Sequence, residues 1–133
     1  MSKTFQLDII TPTSILNEGQ VEYLRAPSID GLFGVQSHHV SSIITIDVGE
    51  VKVVKNGGEE LYFSTAGGFA DIKPEGVVLL VENIEKASDI DVKRAEDAAQ
   101  RARKNLKDTS MDLNRAKLAL KKAQNRIRIS TKI

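Results

Sequence analysis

Residues 67–106, GGFADIKPEGVVLLVENIEKASDIDVKRAEDAAQRARKNL, contain the change of pattern that decides the fold. Phe69 is the last aromatic residue of the chain, Pro74 the last proline and Gly76 the last glycine. From Ser88 onward nothing breaks a helix, and Val92, Ala95, Ala99, Ala102 and Leu106 recur at spacings of three and four, the period of one helical face. Before that point Gly and Pro punctuate short runs rich in aromatic and β-branched residues, as turns punctuate strands. The switch predicts two parts, a β domain over 1–86 and a helical domain over 88–133, with the boundary at 84–88.

Upstream, Phe5-Gln6-Leu7-Asp8-Ile9 alternates apolar and polar residues as a half-buried strand does, and Val21-Glu22-Tyr23-Leu24 does so less cleanly. Val51–Val54 and Glu60–Ser64 flank Lys55-Asn56-Gly57-Gly58, where Asn-Gly predicts a two-residue hairpin turn. Further short strands at Ala70–Ile72 and Val77–Val81 are separated by Pro74-Glu75-Gly76. Many short strands at close spacing predict a small antiparallel β-sandwich. Downstream, Ser88-Asp89-Ile90-Asp91 resembles a capping box that opens the first helix. The pattern pauses at Lys107-Asp108-Thr109-Ser110 and resumes at Leu113, Ala116, Leu120, Ala123 and Ile127.

Pairing outward from that pause joins Leu106 with Leu113, Ala102 with Ala116, Ala99 with Leu120, Ala95 with Ala123 and Val92 with Ile127. The residue numbers in each pair add to a near-constant total, which is what an antiparallel two-helix hairpin requires. The fold class is therefore α+β, a sandwich followed by a helical hairpin, although heptads alone would equally permit pairing with another chain. Five of the ten seam positions are alanine, so the hairpin buries little apolar surface and is expected to be marginal. A marginal element can be moved by a few kcal/mol of differential binding, so the hairpin is read as a switch.

Charge is divided at the same boundary. The chain of 133 residues has 19 Lys+Arg against 18 Asp+Glu, yet residues 1–87 carry six basic and twelve acidic side chains, net −6, and residues 88–133 carry thirteen and six, net +7. Asp91, Arg94, Ala98 and Arg101 fall along one face of the first helix, and Lys122 and Arg126 form an i, i+4 pair on the second. The antiparallel register brings Arg126 near the start of helix one. Cations converging from two helices suit a polyphosphate, while a solvated basic face is the plainer reading.

Other chemistries find no support. The chain has no Cys, which excludes disulfides, thiol nucleophiles and thiolate metal sites, and its only histidines are the neighbours His38 and His39, placed at the start of a strand with one ring outward and one partly packed. Gly57-Gly58 and Gly67-Gly68 lack the Gly-Lys-Ser/Thr of a P-loop and read as a turn and a bulge. The longest apolar run, Val77–Val81, is too short to span a bilayer and no signal peptide is visible, so a cytosol-side protein is expected. No nucleophile or acid–base set is assembled by spacing, so the chain reads as non-catalytic, with no cofactor required.

Three segments together resemble the family of epsilon subunits of bacterial and chloroplast F-type ATP synthases. Gly31-Leu32-Phe33-Gly34-Val35 with His39 is similar to its G-x-x-G-[IV]-x-x-x-H element, and Ala66-Gly67-Gly68-Phe69-Ala70-Asp71-Ile72-Lys73-Pro74 to its [SA]-G-G-F-x-E-V-x-P strand. Ile90-Asp91-Val92-Lys93-Arg94-Ala95 fits its [IL]-D-x-x-R-A motif in full. The resemblance implies a non-catalytic central-stalk subunit whose sandwich contacts the gamma subunit and the c-subunit ring, with Gly31, Leu32, Gly34 and His39 at the rotor interface. It implies coupling of proton flow to ATP synthesis. It also implies that the helices extend into the alpha/beta catalytic head to inhibit ATP hydrolysis, and that a regulatory ATP favours the folded hairpin. The matching nucleotide positions are Glu85, Ile90, Asp91, Arg94, Ala95, Arg101, Lys122 and Arg126, with Lys122 where well-known ATP-binding members have Arg. The expected place is the cytoplasmic face of the bacterial cell membrane as a peripheral subunit without a membrane span, or the stromal side of the thylakoid for a plastid-encoded chain. Two rival readings, a nucleic-acid-binding adaptor using the basic hairpin and a stand-alone ATP-sensing domain, predict no stalk partner; the lack of aromatics after Phe69 counts against stacking on single strands.

Overall fold

The computed structural model describes residues 4–108 and 112–132. Nine strands come first: β1 (Phe5–Ile10), β2 (Ile15–Ser28), β3 (Gly31–Val35), β4 (Ser42–Ile46), β5 (Gly49–Lys55), β6 (Glu60–Thr65), β7 (Gly68–Lys73), β8 (Gly76–Val81) and β9 (Ile84–Lys86). A single 3-10 turn at Ala87–Asp89 leads to α1 (Val92–Leu106) and α2 (Leu113–Ser130). Of the pause between the helices, Thr109 and Ser110 lie outside the described residues.

The strands follow the order β1-β8-β7-β4-β2-β5-β6-β9, with β3 against β2 and β1 pairing back onto β2. The fourteen residues of β2 join both layers, its first half running beside β1 and its second beside β5 and β3. Alternation works as expected along β1, where Phe5, Leu7 and Ile9 are buried and the residues between them are not. They meet Val21, Leu24, Val51, Val53, Phe63, Ile72, Val77 and Leu79 in one core. Each fully buried aliphatic side chain there contributes about 1.5–3 kcal/mol, and this sets the stability of the sandwich.

Three local expectations are corrected. The sandwich is not wholly antiparallel, because β1 and β8 pair in parallel, Leu7 beside Val77 and Ile9 beside Leu79. Strand alternation shows which face of β8 is buried but not which edge of the sheet is free to receive it. The β5–β6 turn is longer than two residues: Lys55 N–H donates to Glu59 O at 2.7 Å, and the positive φ angles fall on Gly57 (107°) and Gly58 (94°) instead of on Asn56-Gly57. Two adjacent glycines made the looser loop as accessible as the tight one. His38 and His39 lie in the β3–β4 connection, not at the start of a strand, and His38 has φ 63°. His38 is exposed and His39 half-buried, with its two ring nitrogens against Gln36 O (2.6 Å) and Lys73 O.

Gly68 is required by close approach. It has φ 155°, and a Cβ there would lie 2.0 Å from Leu80 O on the adjacent strand.

The cap of α1 is also corrected. Ser88 lies within the 3-10 turn, and Asp91 is the N-cap, its carboxylate accepting from Arg94 N–H at 3.0 Å. The 3-10 turn uses up the residues that the capping-box reading assigned to the first helical turn. Asp112 caps α2 in the same way, accepting from Asn114 N–H (3.0 Å) and Arg115 N–H (3.2 Å). The helices pack along each other. Ala95, Ala99, Ala102, Ala116 and Ala123 are buried as the seam predicts, but its ends fray, with Val92 40% and Leu113 48% exposed.

Candidate functional site

A cleft of about 410 Å³ opens where α1, α2 and the β6 side of the sandwich meet. Its sandwich wall is made by Ser64, Thr65, Ala66, Asn83 and Glu85. α1 supplies Arg94 and Ala98, and α2 supplies Ala119, Lys122, Ala123 and Arg126. The volume lies within the range of about 300–1,000 Å³ typical of small-molecule sites.

Each charged group is placed by the local structure. Asp91 ends the extended segment and starts α1, which puts Arg94 on the first turn of the helix, facing the cleft. Lys122 and Arg126, one turn apart on α2, project into the same space because the hairpin is antiparallel. Glu85 stands on β9, opposite Ser64 of β6. It takes Arg126 in a two-point pair, Nε to Oε1 at 2.5 Å and Nη2 to Oε2 at 2.9 Å, with both side chains 23% exposed. This fork-on-fork geometry fixes the guanidinium plane. Among the described residues neither Arg94 nor Lys122 makes an ion pair, so three cations share one carboxylate and the cleft keeps a net positive charge.

The four alanines of the lining, Ala66, Ala98, Ala119 and Ala123, keep the cleft open, since their side chains end at Cβ. The Thr65 hydroxyl is committed, donating to Asn83 O at 3.1 Å and accepting from Gly67 N–H at 3.2 Å. The cations of the lining all stand on the helices, and its one carboxylate, Glu85, stands on the sandwich. Two cations free to turn toward an anion and a third held by a displaceable carboxylate suit a polyphosphate.

Of the eight positions singled out in the sequence for the nucleotide, the structure brings Glu85, Arg94, Lys122 and Arg126 to the cleft lining. Asp91 caps the helix beside it, whereas Ile90 is buried with Ala87 and Ile129 against Tyr62. Ala95 is fully buried on α1, and Arg101, seven residues beyond Arg94, is exposed outside the lining. Sequence reasoning missed Ser64, Thr65, Ala66 and Asn83, which carry no spacing relation to the helix cations, and Ala119, which the three-and-four spacing to Lys122 and Arg126 could have found. The positions read as a rotor interface are of two kinds. Leu32 is 68% exposed beside Ile29 at the tip of the β2–β3 hairpin. Gly31 (φ 123°) permits that turn, Gly34 lies against the Tyr23 ring where a Cβ would come 2.5 Å from Oη, and His39 ties its loop to the end of β7.

A second charged group holds the hairpin down. Glu50 of β5, its side chain 13% exposed, pairs with Arg25 at 2.8 Å and with Lys132 beyond the end of α2 at 2.6 Å. Burial pushes the Glu50 carboxyl up, but contact with Lys132 and Arg25 outweighs it and holds the group below its ordinary value.

Known proteins resemble this chain along nearly its whole length. Residues 4–87 match the family described as ATP synthase, Delta/Epsilon chain, beta-sandwich domain, and residues 88–131 its long alpha-helix domain. The ATP synthase epsilon chain of Desulforamulus reducens is 38% identical over 130 residues, covering 96% of this chain and 98% of that one. That of Staphylococcus haemolyticus is 40% identical over 129 residues, covering 96% of each. Among solved structures, a chain of the Euglena gracilis mitochondrial ATP synthase OSCP/F1/c-ring assembly superposes with a TM-score of 0.81 at 18% identity, over 94% of this chain and 80% of that one, a likeness of fold.

Proposed function

The chain belongs to the ATP synthase delta/epsilon family and is an epsilon-type, non-catalytic subunit of the ATP synthase central stalk; from that premise we propose that its hairpin is a nucleotide-responsive brake. The sandwich stays docked on the rotor, against the gamma subunit and the c-subunit ring, and takes part in coupling proton flow to ATP synthesis. The folded hairpin holds ATP in the cleft beneath it. The released hairpin, with its excess of thirteen basic over six acidic side chains, is steered toward an acidic face of the catalytic head and restrains hydrolysis there.

The observation that carries this reading is the convergence of Arg94, Lys122 and Arg126 from two helices onto one cleft, which exists only while the hairpin is folded. A ligand bound there stabilises the folded state by its full binding free energy and the released state not at all, which is the differential affinity a switch requires. Arg94, Lys122 and Arg126 would hold the phosphates, and Asp91 acts one step back, by capping the turn that presents Arg94. Lys122 offers a point charge where a guanidinium would offer a planar fork, so the site relies on the two arginines for orientation. Among the described residues no helix is long and apolar enough to cross a membrane. The place proposed is the cytoplasmic face of the bacterial membrane, as a peripheral part of the complex. Family membership sets this reading above a nucleic-acid adaptor.

Limited proteolysis tests the site. ATP is expected to protect residues 88–133 in the wild type and not in the Arg94→Ala/Arg126→Ala variant; equal protection in both would refute the cleft as the ATP site. Removal of residues 88–133 tests the brake. Hydrolysis by the assembled head should rise while the truncated chain still binds, and an unchanged rate with binding retained would refute inhibition by the hairpin.

A further inference from the structure

The hairpin touches the sandwich through α2, whose neighbours are β5, β6 and the 3-10 turn. Its contacts are polar around one apolar centre. Asn125, 5% exposed, donates from Nδ2 to Gly49 O at 2.8 Å and to Ser64 Oγ at 3.2 Å, while Arg128 Nη2 donates to Asn125 Oδ1 at 2.5 Å. Lys132 pairs with Glu50 and lies 5.2 Å from the centre of the Tyr62 ring.

Glu50 faces two cations of different allegiance. Arg25 belongs to the sandwich and binds Oε2, and Lys132 belongs to the hairpin and lies against Oε1. When α2 leaves, Arg25 still neutralises Glu50, Lys132 enters water, and Gly49 O and Ser64 Oγ become open to solvent. Glu50 keeps the Arg25 cation in both states, so opening avoids the large penalty for an unpaired ion. A purely apolar attachment would leave a greasy patch on release, and a private ion pair would leave a buried carboxylate alone.

We propose that Glu50 is the sandwich half of a reversible clasp, closed by Lys132 and Asn125 of α2, that sets the closed population of the hairpin separately from the nucleotide cleft. The clasp rests on the reading of the hairpin as mobile but not on ATP. It makes α2 the helix whose detachment opens the switch, and the cleft comes apart as a consequence. Because the closed population scales the apparent nucleotide affinity, weakening the clasp weakens ATP binding without altering any cleft residue.

Hydrogen exchange on the full chain without nucleotide tests it. In the wild type, α2 amides are expected to exchange through an opening that leaves β1 and β8 protected. Lys132→Met and Glu50→Gln are each expected to raise α2 exchange by about fivefold to thirtyfold, with the double variant no faster than the faster single, as for two halves of one contact. Asn125→Ala is expected to raise it by about tenfold or more. Lys132 is exposed and lies past the end of α2, so Lys132→Met keeps the test decisive should Glu50→Gln disturb the sandwich. Unchanged α2 exchange in Lys132→Met, or single effects that multiply in the double variant, would overturn the clasp alone. Wild-type α2 amides that exchange only together with those of the sandwich would overturn both the clasp and the mobile hairpin.

Discussion

Ile129→Ala should open the hairpin and leave the sandwich folded. Ile129 is the only large hairpin side chain among the described residues with no exposed surface, and it packs with Ala87 and Ile90 against Tyr62. The substitution removes three carbons, about 2.4 kcal/mol at roughly 0.8 kcal/mol for each, and the cavity adds to that, for a total of about 2.4–4 kcal/mol. An alanine seam supplies little to offset the loss, so the hairpin's open population rises by roughly 60-fold to several hundred-fold. Ile127→Ala, at a half-buried position two residues earlier, should cost about 1 kcal/mol. Trypsin suits the assay, since thirteen of the nineteen basic residues lie in 88–133. Ile129→Ala should be cut rapidly there while a fragment near residues 4–87 persists, and Ile127→Ala should resemble the wild type. On the proposed function, ATP at a hundredfold excess over its Kd returns about 2.7 kcal/mol and should restore most of the protection. Equal cleavage of both variants, or loss of the sandwich together with the hairpin in Ile129→Ala, would refute the reasoning.

Gly68→Ala should destabilise the sandwich by at least about 2 kcal/mol, lowering Tm by roughly 10 °C, because the added Cβ meets Leu80 O on a neighbouring strand; thermal unfolding followed by circular dichroism measures it. Ala98→Leu should fill the cleft and abolish protection by ATP while helix content stays the same, which proteolysis and far-ultraviolet circular dichroism read together. Glu50, held below its ordinary value of 4.5 with Arg25 and Lys132 as the charged groups facing it, contributes stability that is complete well above pH 4.5 and is lost as the pH falls through its lower folded value. Exchange of α2 amides, corrected for intrinsic rate, should therefore show no clasp-dependent change between pH 7 and 6. It should converge between wild type and Glu50→Gln only as the pH falls below the folded value of Glu50, itself under 4.5.

The two-part architecture was legible because its signals are local. Gly, Pro and aromatic residues stop before the helices, and strand alternation in Phe5–Ile9 or three-and-four spacing in Ala95–Ala123 reports a face buried by immediate neighbours. The same locality accounts for the misses. Ser88 looked like a cap because residues after it are helical, but the 3-10 turn placed that role on Asp91. Ile127 fitted the seam, while Ile129 had no local partner to betray its burial against Tyr62. Asn125 belongs to no pattern along the chain; its partners on the sandwich, Gly49 and Ser64, are more than sixty positions away.

By itself the sequence determined where the chain changes from β to α, the antiparallel register of the helices, the segregation of charge and the three cations, Arg94, Lys122 and Arg126, that meet at the cleft. These follow from periods and totals along one chain. Tertiary structure alone decided the parallel β1–β8 pair, the sandwich wall of the cleft and the choice of α2 as the helix that docks. Such features depend on which surfaces distant segments present to each other, and two segments that never share a period leave no trace of their contact in either.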